Sequence, residues 1–297
     1  MVSFELKTPR IFNLDITLDC GQTFRWVRSN GWWKGIVRDT ALFLRQKNGT
    51  LEVIASSDRL LGEDIDTGLM HYLGFDDPLE DILMEIEKLS HDLPEPAKEI
   101  SLKSIAEGKG LRILRQDPFE MTVEYIISTR NNIPTIRRTS DALSASFHEN
   151  RILLNDEVFY SFPKLPQLKT LTLEQLKELK LAFRAQWLYE LFQNLNEEEF
   201  FISLRDLPLD EKLEKLMEHK GIGFKVASCI TLFGYAELNS FPVDIWIKRV
   251  MKDLFNVEGS TRKIMRFAMN RFYPYAGYYQ ELLFRYYRKR FGRGKRA

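Results

Sequence analysis

The chain has 297 residues, enough for two ordinary domains, and its composition of 44% hydrophobic and 29% charged residues is typical of a water-soluble globular protein. It contains no apolar run of the roughly 18 residues that a membrane span needs, and residues 1–10 lack the basic-then-apolar order of a secretory signal, so we expect a cytoplasmic protein without membrane contact. The net charge is +1, and Cys20 and Cys229 are the only cysteines, which excludes a disulfide framework and a four-cysteine iron–sulfur cluster.

Residues 1–113 are predicted to form an antiparallel β domain with trailing helices. Residues 12–18 alternate apolar and polar side chains, which is the period of a strand with one buried face. Asn30-Gly31 and Asn48-Gly49 each separate two apolar runs. Because Asn-Gly favours the positive φ angles of a tight hairpin turn, the segment up to about residue 60 predicts an antiparallel meander.

Helical periodicity follows, and residues 114–297 are predicted to form an all-helical domain. Asp117-Pro118-Phe119-Glu120 is a strong helix start, with Asp117 as N-cap, Pro118 at the first helical position and Glu120 able to reach back to the cap. The predicted fold class is therefore α+β, an N-terminal antiparallel sheet domain plus an all-helical domain.

Residues 210–235 predict a helix-hairpin-helix within the second domain. Asp210 is interpreted as the cap of the first helix, Gly221-Ile222-Gly223 as the turn, and Phe224 as the start of the second helix. Glycines let another chain approach the backbone closely, and a helix start presents free amides and a positive dipole end to an anion such as a DNA phosphate. An ordinary αα-hairpin with a glycine cap is the alternative.

Lys225 lies in the first turn of this second helix, where the helix dipole disfavours a positive charge. Partial desolvation there would favour the free amine, which attacks an electrophilic carbon. The alternative is a solvated lysine, or one that binds phosphate as a cation. Cys229, four residues later, shares the same helix face, although a lone cysteine is more often a compact core residue.

Asp244 follows Lys225 by nineteen residues, in the sequence Pro242-Val243-Asp244, and precedes a helical run. It is either a plain N-cap or a carboxylate that orients the lysine and stabilises positive charge on a sugar ring.

The C-terminus is strongly basic. Residues 285–297 contain seven Lys or Arg residues and no acidic residue, interleaved with Tyr286, Tyr287 and Phe291. This pattern suits a phosphate backbone, and a solvated, frayed helix end is an equal alternative.

A helix-hairpin-helix with a lysine after Gly-x-Gly, followed by Pro-Val-Asp, resembles the lysine-bearing branch of the helix-hairpin-helix DNA glycosylases, and within it the 8-oxoguanine DNA glycosylase family. Four further stretches carry the resemblance in the right order, namely residues 20–26, 114–120, 128–133 and 274–280, with Phe284 following. The resemblance implies a bifunctional glycosylase and AP lyase that excises 8-oxoguanine from duplex DNA, with the base pocket where the two domains meet. It implies no metal ion and no diffusible cofactor.

The resemblance also implies roles for individual residues. Lys225 would attack the sugar C1′ as the base leaves and form a Schiff base that permits β-elimination, while Asp244 would stabilise the cationic sugar. The base-binding residues would be Gly21, whose carbonyl reads the N7 hydrogen of 8-oxoguanine, Gln280 on the Watson–Crick edge, and Cys229 and Phe284 on the two faces of the flipped base. Each has a plainer interpretation, as a turn glycine, a surface amide or a core residue.

The DNA-contacting residues expected from the resemblance and the hairpin are Arg130, Asn131, Phe183, Arg184, Gly221, Gly223, Val226 and Trp246. Phe183 matches an aromatic that wedges into the duplex, and Arg184 an arginine that contacts the cytosine opposite the lesion. Phe183 as a core residue is the alternative.

Three positions depart from the well-known eukaryotic members. Trp246 stands in place of a histidine, Arg130 in place of the first asparagine of an Asn-Asn-Asn run, and Thr135 in place of an arginine that reads the opposite cytosine. We therefore expect a relaxed preference for cytosine.

Two rival functions stay open at this point. A monofunctional alkylpurine glycosylase would activate water and would not need an amine at position 225. A non-catalytic helix-hairpin-helix DNA-binding protein would keep the hairpin and the basic tail but would form no reducible lysine adduct with DNA. The expected state is a monomer whose partner is duplex DNA containing an oxidised purine, located in the cytoplasm and, in a prokaryote, at the nucleoid.

Overall fold

The computed structural model describes residues 1–291, with the backbone alone at 197 and 198, and consists of an antiparallel sheet domain and a helical domain. The strands are β1 (Val2–Lys7), β2 (Trp26–Ser29), β3 (Trp32–Val37), β4 (Thr40–Lys47), β5 (Thr50–Ala55), β6 (Arg59–Leu60), β7 (Glu63–Asp64), β8 (Arg151–Leu154) and β9 (Glu157–Tyr160). The helices are α1 (Leu14–Leu18), α2 (Ile65–Tyr72), α3 (Leu79–His91), α4 (Ala97–Gly108), α5 (Pro118–Ile127), α6 (Ile133–Ala145), α7 (Leu165–Leu168), α8 (Leu173–Glu178), α9 (Arg184–Asn194), α10 (Glu197–Ser203), α11 (Leu209–Met217), α12 (Phe224–Tyr235), α13 (Ile245–Phe255), α14 (Thr261–Arg271) and α15 (Ala276–Phe291), with a 3-10 turn at His148–Asn150. Within the described residues, no helix combines the length and apolar character that spanning a bilayer requires.

The N-terminal sheet has five antiparallel strands in the order β1-β5-β4-β3-β2. Strands β2 to β5 form the predicted meander, and both Asn-Gly pairs occupy its turns with positive φ, 51° and 79° at Asn30 and Gly31 and 49° and 78° at Asn48 and Gly49. Strand β1 adds to the far edge by pairing with β5. One face of the sheet is buried against α1 and α2, so the two hairpin predictions and the predicted fold class are confirmed.

The strand predicted at residues 12–18 is wrong, because residues 14–18 form the short helix α1. The Asn13 side chain accepts a hydrogen bond from the Ile16 amide at 3.0 Å and caps the helix. Leu14 and Leu18 are buried at the i, i+4 spacing of one helix face. In so short a segment, the apolar positions fit both the two-residue period of a strand and the 3.6-residue period of a helix, and the Asn13 cap favours the helix.

The helical domain contains a feature that the sequence did not predict, the hairpin β8–β9. Asn155 and Asp156 form the turn with φ of 47° and 61°. Leu154 packs with Ala41 and Phe43 of β4, on the face of the sheet opposite α1 and α2. This hairpin, from the helical half of the chain, thereby covers the second face of the sheet.

Helix α5 begins as predicted, since Asp117 Oδ1 accepts from the Glu120 amide at 2.8 Å. The Glu120 carboxylate does not return to the cap as expected but contacts Arg25 Nη1 at 3.5 Å. Arg25, in the loop before β2, also lies 3.6 Å from Asp141 of α6. Beside them Glu124 accepts from Ser140 Oγ, and burial raises the pKa of both glutamates. This buried polar cluster ties the loop before β2 to the helical domain.

Gly277, in the first turn of α15, supports a stability prediction. A Cβ at this position would lie 2.5 Å from Leu232 Cδ1 and 2.8 Å from the Ser240 carbonyl oxygen. Because a backbone carbonyl cannot move aside like the end of a side chain, we expect Gly277→Ala to lower the free energy of unfolding by about 1–3 kcal/mol in urea titrations.

Gly223→Ala is the matched control for this substitution. A Cβ on Gly223 would meet no atom within 4 Å, and its φ of −102° suits alanine. Because Gly223 is the N-cap of α12, where alanine is less favourable than glycine, its unfolding free energy should fall by less than about 1 kcal/mol, a smaller loss than that of Gly277→Ala. Equal stability of the two variants would contradict the close-packing argument.

Candidate active site

A cavity of about 560 Å³ opens where α5, α6, α12, α13 and α15 meet the loop between α1 and β2. It brings together twelve of the fourteen site residues expected from the sequence. These are Gly21, Arg130, Asn131, Gly221, Gly223, Lys225, Val226, Cys229, Asp244, Trp246, Gln280 and Phe284. Phe183 and Arg184 lie outside the lining.

The amine of Lys225 lies in this cavity. Lys225 is in the first turn of α12, as predicted, and is half-buried. Its Nζ donates to Ser128 Oγ at 3.1 Å and lies 4.8 Å from the centre of the Tyr125 ring. Ser128 Oγ in turn donates to the Tyr125 carbonyl at 2.7 Å. The amine is therefore held by side chains of α5 and its C-terminus rather than extended into solvent.

The helix-hairpin-helix is formed by α11 and α12. Its first helix begins at Leu209 after Pro208, so Asp210 is not the N-cap but lies in the first turn, where it contacts Arg266 at 2.8 Å. Pro208 supplies the extended backbone that starts the helix, which leaves Asp210 free for this ion pair.

The turn of the hairpin depends on Gly221. It has φ of +91°, and a Cβ there would lie 2.6 Å from the Trp187 ring, so both conformation and packing require glycine. Gly223 is exposed, with open space around it. The first amides of α12 are therefore accessible to an anion that approaches from outside.

Asp244 begins α13 at another wall of the cavity. Its Oδ1 accepts from the Ile247 amide at 2.8 Å, which is the N-cap geometry. Burial raises the pKa of its carboxyl, opposed in part by the backbone amides and by the positive charge of Lys225. The structure therefore shows the helix cap, and the role of the carboxylate towards the lysine and the sugar remains a prediction.

The residues expected to bind the base line the same cavity. Gly21 has φ of +101°, and a Cβ there would lie 3.3 Å from Phe284 Cε1, so its backbone can lie close to the aromatic ring. Cys229 is buried, and burial raises the pKa of its thiol to about 12, which keeps it neutral. Gln280 is buried, and its Oε1 has no hydrogen-bond partner among the described residues. The cavity is therefore lined both by apolar surfaces and by Gln280, a residue with an unused hydrogen-bond acceptor.

The two expected residues outside the cavity lie at the start of α9. Phe183 is 44% exposed and its ring packs edge-on against Trp187 with centroids 4.9 Å apart. Arg184 is buried and donates from Nε to the Thr129 carbonyl at 2.7 Å and from Nη2 to the Arg130 carbonyl at 3.0 Å. Arg184 therefore supports the loop after α5, and a contact of either residue with DNA remains a prediction.

The basic C-terminus is described only to residue 291, so Arg293, Lys295 and Arg296 lie outside the described residues. Arg285 donates to the Glu107 carbonyl at 2.9 Å, and Arg288 to the Asp19 carbonyl at 2.8 Å. The described part of this basic segment therefore fastens α15 to α4 and to the loop after α1.

Further lining residues escaped the sequence prediction, among them Tyr125, Ser128 and Glu281. Helical spacing contained a signal for one of them, because Glu281 is three residues before Phe284 on one helix. Among the side chains that the structure describes, no group of three or more from His, Cys, Asp and Glu is placed to hold a metal ion.

Comparison with known proteins gives the following relations. The model of the 8-oxoguanine DNA glycosylase N-terminal domain matches residues 5–122. The N-glycosylase/DNA lyase OGG1 of Arabidopsis thaliana is 27% identical over 298 aligned residues, which cover 95% of this chain and 79% of that protein.

Solved structures are similar over nearly the whole chain. The Clostridium acetobutylicum 8-oxoguanine glycosylase/lyase in its apo-form is 30% identical, with a TM-score of 0.80 and 93% of each chain covered. The same enzyme with double-stranded DNA containing cytosine opposite 8-oxoguanine gives a TM-score of 0.83 at 28% identity, with 98% of each chain covered. A 3-methyladenine DNA glycosylase from Archaeoglobus fulgidus, at 22% identity and a TM-score of 0.73 over 99% of this chain and 100% of that one, shows a similar fold.

The two roles of Asp244 can be separated by stability measurements. Asparagine is as good an N-cap as aspartate, whereas alanine loses the cap, so we expect Asp244→Ala to be about 1 kcal/mol less stable than Asp244→Asn. Because the folded-state pKa of Asp244 is raised, its ionisation disfavours the folded state as pH rises above the ordinary value. At pH 7, Asp244→Asn should therefore be at least as stable as the wild type in urea unfolding. A large loss in Asp244→Asn would show that the charge itself stabilises the fold.

Proposed function

This chain belongs to the 8-oxoguanine DNA glycosylase family, and on that premise we infer that its cavity receives the flipped base and that Lys225 is the nucleophile. The protein is a base excision repair enzyme, a DNA glycosylase with AP lyase activity that acts on 8-oxoguanine in duplex DNA. The observation that carries the proposed mechanism is the position of the Lys225 amine, half-buried in the same cavity as Asp244.

The proposed reaction begins when the damaged base leaves the duplex, at a cost of a few kcal/mol that pocket contacts must recover. The free amine of Lys225 then attacks C1′ of the deoxyribose. A bond forms between Nζ and C1′ while the glycosidic bond breaks, and the purine leaves with the bonding electron pair. Opening of the sugar ring gives a Schiff base, which acidifies the C2′ hydrogen and allows β-elimination of the 3′ phosphate.

Asp244 is proposed to stabilise the positive charge that develops on the sugar and to help move the amine proton. Its position as N-cap of α13 supports this role, because the hydrogen bond to the Ile247 amide fixes the carboxylate. Ser128 Oγ, 3.1 Å from Nζ, would hold the amine in place before attack.

Base recognition is proposed to combine stacking with reading of polar edges. Cys229 and Phe284 would contact the faces of the base, and Gln280 its Watson–Crick edge. The Gly21 carbonyl would accept from N7–H, which 8-oxoguanine has and guanine lacks. Support comes from the shared cavity and from the close approach of the Gly21 backbone to Phe284.

The DNA backbone is proposed to bind at the rim of the cavity. Gly221, Gly223 and Val226 would present the amides of the hairpin and of α12 to a phosphate. Arg130, Asn131 and Trp246 would line the approach, with Phe183 inserted into the duplex and Arg184 behind the loop after α5. Since all these residues come from a single chain, the proposal requires only a monomer.

A monofunctional alkylpurine glycosylase is the rival enzyme, and the shared fold with the Archaeoglobus protein does not decide between them. The lysine does, because an enzyme that activates water has no use for an amine inside its base pocket. A non-catalytic DNA-binding protein would likewise not require this cavity.

Borohydride trapping on a duplex with one 8-oxoguanine opposite cytosine tests the nucleophile. We expect the wild type to form a covalent adduct that needs both the lesion and Lys225, and Lys225→Gln to lose it with excision reduced by about 100-fold or more. Lys220→Gln is the matched control, because Lys220 is an exposed lysine of the same hairpin that pairs with Glu190 at 3.2 Å. An adduct that survives in Lys225→Gln would refute the assignment.

Opposite-base preference is the second test. Thr135 donates from Oγ1 to Asn132 Oδ1 at 3.0 Å, so this short side chain is engaged with its own helix cap and does not extend towards a base. We expect single-turnover excision rates opposite the four bases to lie within about tenfold of one another. Since one arginine–base contact discriminates by about 1–3 kcal/mol, Thr135→Arg should strengthen the preference for cytosine by about tenfold. A wild-type preference above about 100-fold would contradict this expectation.

A further inference from the structure

A carboxyl group that the proposed reaction does not use lies in the wall of the same cavity. Glu281 follows Gln280 on α15, is only 4% exposed, and lines the cavity together with Lys225 and Asp244. Its Oε2 has no hydrogen-bond partner among the described residues. Because burial of an unpaired polar atom is costly, this position has a stability cost that an apolar residue would avoid.

Helix geometry explains why Glu281 belongs to the pocket. Gln280 precedes Phe284 by four residues and Glu281 precedes it by three, so each lies beside Phe284 on α15, and all three residues line the cavity. Gln280 Oε1 is also buried and without a partner. Each of these two adjacent residues therefore has one buried oxygen without a hydrogen-bond partner among the described residues.

The surroundings of Glu281 favour its neutral form. Burial raises the pKa of its carboxyl to about 8, and the nearby Asp244 carboxylate acts in the same direction, while the Cys20 thiol, Arg288 and Lys225 oppose it. Below that pH the group is a carboxylic acid, which has an O–H donor that a carboxylate lacks. Gln280 Oε1 is an acceptor. Adjacent positions of α15 thus bring one donor and one acceptor to the wall of the cavity.

We propose that Glu281 is a second base-reading residue, whose carboxyl O–H donates to a carbonyl oxygen of the flipped purine while Gln280 Oε1 accepts from the neighbouring N–H. This inference rests on the proposed function. A carbonyl beside an N–H is the C6=O and N1–H edge of a guanine-derived base. An adenine-derived base has an amino group and an unprotonated nitrogen there, so the pair selects oxidised guanine over oxidised adenine.

The proposal has a consequence for pH. As pH rises through about 8, Glu281 ionises, loses its donor and places a negative charge against the base carbonyl. The thiols and the phenol around the pocket have higher pKa values than Glu281. Burial raises the pKa of Cys20 and Tyr125 well above their ordinary values and that of Cys229 to about 12, and Asp244, Lys225 and Arg288 complete the charged surroundings.

Two variants and two DNA substrates test the proposal. Glu281→Gln keeps the shape and a neutral donor at all pH values, whereas Glu281→Leu removes the polar head. Single-turnover base excision is measured on an 8-oxoguanine duplex, and strand cleavage on an abasic duplex, which needs the lysine but no base contact. Glu124→Gln is the matched control, because Glu124 is another buried glutamate with a raised pKa that lies outside the cavity lining.

At pH 7 we expect Glu281→Leu to lower excision by about tenfold or more while strand cleavage at the abasic site stays within about twofold, because only excision needs the base contact. It should also narrow the rate ratio between 8-oxoguanine and 8-oxoadenine. Glu281→Gln and Glu124→Gln should excise 8-oxoguanine at close to the wild-type rate.

Each excision rate is divided by the rate of abasic-site cleavage at the same pH. Between pH 7 and pH 9, this ratio should fall about tenfold more for the wild type than for Glu281→Gln. The reason is that only about one tenth of a group with a pKa of about 8 stays neutral at pH 9. Glu124→Gln should follow the wild-type curve.

Three results would overturn the proposal. They are wild-type excision by a folded Glu281→Leu, an equal loss of abasic-site cleavage in that variant, and identical normalised pH profiles for the wild type and Glu281→Gln. The last comparison holds even if Glu281→Leu fails to fold. Failure of the proposed function would be visible separately, as absence of excision by the wild type, and would overturn both.

Discussion

The packing of α12 against α5 is the constraint on which the site depends. Residues 226–233 of α12 are all buried, and the Phe233 ring stacks on Tyr125 of α5 with centroids 5.8 Å apart and planes at 15°. At the far end of α12, a Cβ on Gly234 would lie 3.0 Å from Pro118 Cα, so the two helices are in close contact there. Because both helices are fixed along their length, the first turn of α12 is placed beside the C-terminus of α5, and the Lys225 amine meets Ser128.

The cavity also needs a loop from the other domain, and buried polar contacts hold that loop in place. Gln22 Nε2 donates to the carbonyls of Thr17 and Arg112 at 3.0 and 2.8 Å, while its Oε1 accepts from the Leu114 amide at 2.8 Å. These bonds fix the residue next to Gly21 from both the sheet domain and the segment that leads into α5. With every hydrogen-bonding atom of the Gln22 amide engaged near the junction, the Gly21 backbone has a defined position against Phe284.

The sequence predicted the parts of the fold that depend on local chemistry. The two Asn-Gly turns and the caps at Asp117 and Asp244 follow from side chains that act on their own backbone. Residues 12–18 were predicted wrongly because seven residues cannot distinguish a period of 2 from one of 3.6. The hairpin β8–β9 was missed because its stability comes from packing on β4, which is distant in sequence.

The candidate site shows the same division between local and tertiary information. The hairpin and Pro-Val-Asp motifs, which are local features, together with the family resemblance, led to twelve of the cavity-lining residues. Arg184 shows the limit, because its hydrogen bonds to the carbonyls of Thr129 and Arg130 join segments more than fifty residues apart. Glu281 was missed because a charged residue in a helix ordinarily lies on the face exposed to solvent. Its spacing from Phe284 was a weak signal, and the fold shows that this position lines the cavity.

Fold similarity and site chemistry therefore carry different information about this enzyme. The 3-methyladenine glycosylase of Archaeoglobus fulgidus has a similar fold over the whole chain, so the arrangement of helices does not determine which base is excised. What distinguishes this chain is a set of positions that do not serve stability, a lysine at the positive end of a helix dipole and unpaired polar atoms of Gln280 and Glu281 in the cavity wall. A protein selected for stability alone would replace these groups with apolar residues, so their shared location is the physical argument that the cavity binds and transforms a polar base.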